Sequence, residues 1–204
     1  MTNITKICKE IEKCLLEKNS EIFFTKTSTK ESGHANAPKT EEAVSNILEK
    51  NKFKISYERK KNGQKAARSI SDVIVSGLFC NVKSGVLSED SKGGQPNICS
   101  LKRLYKKIIS KELDAYIIIW VKSDKVRVFD VLSNLEYIVY NDGTGQCMLK
   151  ENIFLKNFDN ISPHNAESIK IKCDKIKDIL VKGYEAHRIK KKSDIEKILK
   201  LNYQ

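Results

Sequence analysis

Ile4, Ile7, Ile11, Cys14 and Leu15 recur at the spacing of one helix face, so residues 3–18 read as an amphipathic helix. Residues 19–37 are polar and irregular. A second helix is expected from Pro38, with Asn36 as its cap and Val44, Ile47 and Leu48 on its buried side. Phe53, Ile55 and Tyr57 alternate with polar residues, which predicts a strand over 52–59. The stretch S-D-V-I-V-S-G-L-F-C-N-V-K-S-G (71–85) reads as a hairpin with strands near 70–75 and 78–84 and a turn at Ser76-Gly77, where Gly supplies the positive φ. Residues 88–97 are rich in turn formers. Leu101, Leu104, Tyr105 and Ile108 give residues 98–110 helical spacing. The unbroken apolar run at 114–121 predicts a strand covered on both sides, with 126–132 as its hairpin partner. Residues 133–164 mix loop and strand, and helices are expected at 166–182 and 193–201, joined across a K-K-K segment.

This order is helix, three strands, helix, two strands. It predicts an α/β (α+β) fold with a small mixed sheet and helices on both faces. A chain of 204 residues suits a single domain spanning 1–204, with its core at about 33–132 and residues 133–204 as a C-terminal helical extension. No apolar run approaches the ~20 residues of a membrane span. The N-terminus lacks a signal-peptide pattern, so a soluble, cytoplasmic protein without a membrane partner is expected. The six cysteines form no C-x-x-C pair and read as free thiols. Trp120 lies inside an apolar run and reads as core, and His34, His164 and His187 show no partners in the sequence.

Charge adds a partner class. The chain holds 38 Lys and Arg against 26 Asp and Glu, a formal net charge of +12, which points to a polyanion. The hairpin adds chemistry. A two-residue loop pairs Val75 with Leu78, and counting outward sets Asp72 opposite Asn81, with Cβ atoms roughly 4.5–5.5 Å apart. Lys83 shares the face of Asn81 because side chains alternate with period two. A carboxylate and an amide oxygen are hard-cation ligands, and the Val82 carbonyl lies between Asn81 and Lys83. Lys83 would orient or acidify an attacking water, or offset charge on a phosphorane-like transition state. A second carboxylate is wanted. Glu41 lies at the rim of its helix's apolar face, whereas Glu42 points to solvent. The basic loop 60–68, with Lys61 and Arg68, suits phosphate contact. So does the Gly-rich S-K-G-G-Q-P-N segment with Lys92, Gly94, Gln95 and Asn97, followed by Ser100, Lys102 and Arg103. Gln95 and Asn97 also suit base edges.

The element order, S-D72, N81-V-K83, G33-H34-x4-K39-T-E-E-A-V and K92-G-G-Q-P-N-I-C-S-L-K-R-L-Y together resemble the PD-(D/E)xK nuclease superfamily, and within it the type II restriction endonucleases. The resemblance covers about residues 33–132. It implies an αβββαβ core, Mg2+ as cofactor, and sequence-specific hydrolysis of phosphodiester bonds in double-stranded DNA by a homodimer. Asp72, Asn81, Lys83 and Glu41 would be catalytic, and Asp72, Asn81 and Val82 would hold the metal. Ser71 stands where the family has Pro, and Asn81 stands where it has Asp or Glu. The second departure removes a charge from the metal site and keeps two alternatives open: a non-catalytic basic nucleic-acid-binding protein, or a junction-resolving or repair nuclease of the same superfamily.

Overall fold

The computed structural model describes residues 3–24, 33–58, 69–84, 97–122, 125–150, 153 and 156–201. Helices α1 (Asn3–Glu17), α2 (Asn19–Phe24) and α3 (Gly33–Lys50) come first. Strands β1 (Ile55–Ser56), β2 (Val73–Val75), β3 (Leu78–Ser84) and β4 (Asn97–Ser100) follow, then α4 (Leu101–Ile109). Next come β5 (Tyr116–Lys122), β6 (Lys125–Asp130), β7 (Ile138–Asn141), β8 (Gln146–Leu149) and the long helix α5 (Ile169–Leu201).

Five strands form a mixed sheet in the order β1-β2-β3-β5-β6. Within it β3 and β5 are parallel, and the other neighbours are antiparallel. The fold is therefore mixed α+β. Ser76 and Gly77 both take positive φ, +49° and +88°, the pattern of a tight primed hairpin turn matched to strand twist. β5 is buried on both faces from Tyr116 to Val121, as its unbroken apolar run requires.

Alternation along the strands divides the core in two. On one face α1 and α3 set Ile11, Leu15, Val44 and Leu48 against Val75, Cys80, Ile117 and Val128. Glu12 fastens this layer: its carboxylate accepts from the Val128 N–H at 2.7 Å and pairs with Arg127 at 3.1 Å. On the other face Tyr116, Ile118 and Trp120 meet Leu104, Ile108, Cys147, Leu149 and Ile176. That second layer is α4, part of α5 and a three-stranded sheet of order β4-β8-β7.

Several sequence expectations shift. α3 begins at Gly33, so Pro38 lies inside it rather than in its first turn, and Asn36 is not its cap. Thr40, Ala43, Val44, Ile47 and Leu48 are buried, and this packed face holds the helix despite the proline. The strand at 52–59 shrinks to β1, and 19–24 are helical, with Ile22 buried. Residues 97–100 pair with β8 before α4 starts, so a strand separates the Gly-rich segment from the helix. The two C-terminal helices are one 33-residue helix running through Lys190, Lys191 and Lys192. No helix among the described residues is long and apolar enough to cross a membrane.

Candidate metal and nucleic-acid site

The hairpin ladder runs Val75↔Leu78, Ile74↔Phe79, Val73↔Cys80. At the next residue it slips. The Asp72 N–H donates to the Cys80 carbonyl at 2.9 Å, the same residue that partners Val73. Asp72 therefore does not form the regular rung opposite Asn81 that counting predicts. Its carboxylate turns in toward β3 and accepts the Val82 N–H at 2.8 Å. Two residues set against one is the signature of a bulge, a device that re-aims side chains where a ladder ends. The aim is still onto β3, at the residue between Asn81 and Lys83. Because N–H and C=O of one strand residue share an edge, the Val82 carbonyl lies on the same edge as the Asp72 carboxylate.

From that edge Asp72 influences both faces. Burial pushes the Cys80 thiol up, and the charges of Cys8 and Asp72 add to the shift. Burial, Cys99 and the Asp72 charge push the Tyr116 hydroxyl well above its usual value, against a hydrogen bond from Asn81. Cys80 faces α1 and α3, whereas Tyr116 faces the small sheet.

Asn81 pairs with Ile118 of β5, and Lys83 with Trp120, on the side facing the small sheet. Asn81 is 4% exposed, and its Nδ2 donates to the Ile98 carbonyl of β4 at 3.0 Å. A carbonyl only accepts, so this bond fixes the amide with nitrogen toward β4. Its Oδ1 is buried and has no hydrogen-bond partner among the described residues. A buried amide oxygen left without a donor costs about 1–3 kcal/mol, and a hard cation would satisfy it. Lys83 is half-buried and faces β8: Cys147 is held well above its ordinary pKa by its hydrogen bond with Cys99 and by burial, and the Lys83 charge pulls the other way.

Asp72, Asn81, the Val82 backbone and Lys83 thus gather around one length of β3. Glu41 is half-buried and Glu42 exposed, as helical phase predicts, but α3 covers the Cys80 and Val82 face, opposite Asn81. Among the described residues no three His, Cys, Asp or Glu side chains gather to bind a metal, so the donor set rests on one carboxylate, one amide and main-chain oxygen.

A brace beside the site was missed in the sequence. Glu58 accepts from the Ser69 hydroxyl and from the Ile70 N–H at 2.9 Å, and pairs with Lys107 of α4 at 3.2 Å. Burial raises this carboxyl, but those partners outweigh it and hold it below its ordinary value. The Ile70 carbonyl in turn accepts the Tyr116 hydroxyl. The segment entering Asp72 is thereby tied at both its N–H and its C=O. Arg103, Lys106 and Lys107 line a cleft of about 490 Å3 that reaches Ile70 and Glu58.

No family model matches this chain, and no curated protein matches it.

Among the expected nucleic-acid residues, Asn97 is exposed at the start of β4 and Ser100 precedes α4 half-buried. Lys102 and Arg103 are exposed on α4, and Lys102 pairs with Asp142 at 3.7 Å. Lys61, Arg68, Lys92, Gly94 and Gln95 lie outside the described residues.

Proposed function

We propose that this chain is a Mg2+-dependent endonuclease of duplex DNA, similar to type II restriction enzymes and acting in the cytoplasm. The observation that carries the reading is the Asp72 carboxylate on the Val82 N–H, with the buried Oδ1 of the adjacent residue Asn81 unpartnered among the described residues. These oxygens and the Val82 carbonyl fit a small hard cation. Mg2+ held there would supply charge neutralisation at the scissile phosphate and an acidified water. The chain's own groups do the rest. Asp72 fixes the ligand edge, and the Glu58 and Tyr116 bonds to Ile70 set its position. The Lys83 ammonium offsets negative charge as the phosphorus centre gains its fifth oxygen. Arg103 and Lys106 hold the flanking phosphates. The element order α3-β1-β2-β3-β4-α4-β5 contains the αβββαβ order of that superfamily, with β4 added as a strand of the smaller sheet. Two copies related by a two-fold axis would act on the two strands.

A second reading, a basic DNA-binding protein without catalysis, is favoured by the deep burial of Asn81 and by a single carboxylate at the edge. Plasmid DNA incubated with the protein in Mg2+ or in EDTA separates them. Discrete fragments that disappear in EDTA are expected, and a gel shift with intact DNA would favour the second reading. Asp72→Ala and Lys83→Ala are expected to abolish cleavage while retaining DNA binding. Full activity in Lys83→Ala would remove its assigned role.

A further inference from the structure

α5 holds eleven Lys and Arg against five Asp and Glu, half of the chain's net +12. It packs on α4 and on β7. The approach to β7 is close at Gly183, where any Cβ would meet the Tyr140 carbonyl oxygen at 2.5 Å. Beside this contact lies a cleft of about 400 Å3, within the ~300–1,000 Å3 usual for small-ligand sites. Its apolar lining comes from Tyr140, Leu180, Val181 and Tyr184, cations stand at it in Lys102 and Arg188, and Glu185 adds a carboxylate. Asp142, also in the lining, is engaged by His187 at 3.1 Å, by the Tyr140 hydroxyl at 3.1 Å and by Lys102. Tyr184 is 58% exposed, so its ring face is open to a ligand rather than packed in the core.

We infer that this cleft takes an unpaired base of a DNA strand, stacked on Tyr184, with the attached phosphate at Lys102 and Arg188. Aromatic rings beside cations are how proteins hold single-stranded nucleic acid without reading its sequence. The position fits that occupant. Lys102 lines this cleft, and its neighbour Arg103 lines the cleft that reaches Ile70, two residues before Asp72. α4 is thus a basic ridge between the candidate cleavage site and the Tyr184 cleft, along which a backbone can run. The inference rests on the nucleic-acid partner proposed above, not on the cleavage chemistry.

Fluorescence anisotropy in EDTA, where no metal-dependent cleavage occurs, tests it with two labelled probes. One is a blunt DNA duplex, and the other is the same duplex with a short single-stranded tail. The protein is expected to prefer the tailed probe. Tyr184→Ala should weaken binding to that probe by about five- to a hundred-fold, with Tyr184→Phe retaining it and exposed Ile189→Ala unchanged. Circular dichroism checks that each variant is folded. Unchanged tailed-probe binding in Tyr184→Ala overturns the inference, and so does an equal loss for both probes, which would mark a phosphate grip alone. A tail preference lost in Tyr184→Ala, in a protein that cuts no DNA in Mg2+, upholds this site and sinks the nuclease reading instead.

Discussion

Asp130 ends β6 fully buried, and the C-terminal third of the chain is tied around it. Its Oδ1 accepts from the N–H groups of Tyr116 and Leu132, both at 3.0 Å. Its Oδ2 meets the Ser133 hydroxyl at 2.6 Å, His164 Nδ1 at 2.9 Å and the Lys172 ammonium at 3.4 Å. Ser133 and His164 both address one carboxylate oxygen, and their own separation is 3.5 Å, so this is an anchor rather than a relay to a nucleophile. Burial raises this carboxyl, but His164, Lys172, Ser133 and the Tyr116 N–H outweigh it and hold it below its ordinary value. A depressed carboxyl stabilises the fold fully above the unfolded value of about 3.9 and loses that contribution as pH falls through the folded value. The thermal midpoint should therefore fall below about pH 4. Asp130→Asn should start lower by about 3–5 kcal/mol and show a shallower acid slope. Equal slopes in both proteins would contradict this. None of it was legible in the sequence, because His164 and Lys172 lie 34 and 42 residues from Asp130 and no local pattern links them. The placement of Asn81 and Lys83 on one face of β3 was legible, because a tight turn fixes register from a few neighbouring residues. The bulge at Asp72 was not, since counting assumes an unbroken ladder.

Elements divide in the same way. The hairpin, β5 and α1 follow from local pattern, and all three formed close to where periodicity sets them. Helical spacing predicts a helix across β4 because four residues are too few to show an alternation, and Ile98 and Cys99 suit either state. Pairing with β8, about fifty residues onward, decides it. The Lys190–Lys192 run reads as a join in the sequence, yet Lys is a good helix former, and an exposed face accepts it. The seam between α5 and β7 depends on Gly183. Gly183→Ala should separate them by a few tenths of an ångström or more and lower stability by about 1–3 kcal/mol, because the obstacle is main-chain oxygen rather than a movable side chain. Urea unfolding measures this, and a midpoint equal to the wild type would show that the seam is loose.

At the scale of the whole molecule, the central sheet separates two apolar layers. Asp72 stands where the interior β2–β3 ladder ends. If DNA is the partner proposed above, the net charge of +12 should make its affinity strongly dependent on salt. Raising salt from 50 to 200 mM is expected to weaken binding by about 10³-fold or more if six or more phosphates are contacted, and a flat salt profile would remove the polyanion partner. On the proposed function, Asp72 and the oxygens of Asn81 and Val82 hold a divalent cation. Titration of Mn2+ into the DNA-free protein, followed by calorimetry, tests this most directly. The wild type is expected to bind with an affinity that falls at least about tenfold in Asp72→Ala, the loss of one ligand charge. Mn2+ binding of equal strength in Asp72→Ala would contradict the account.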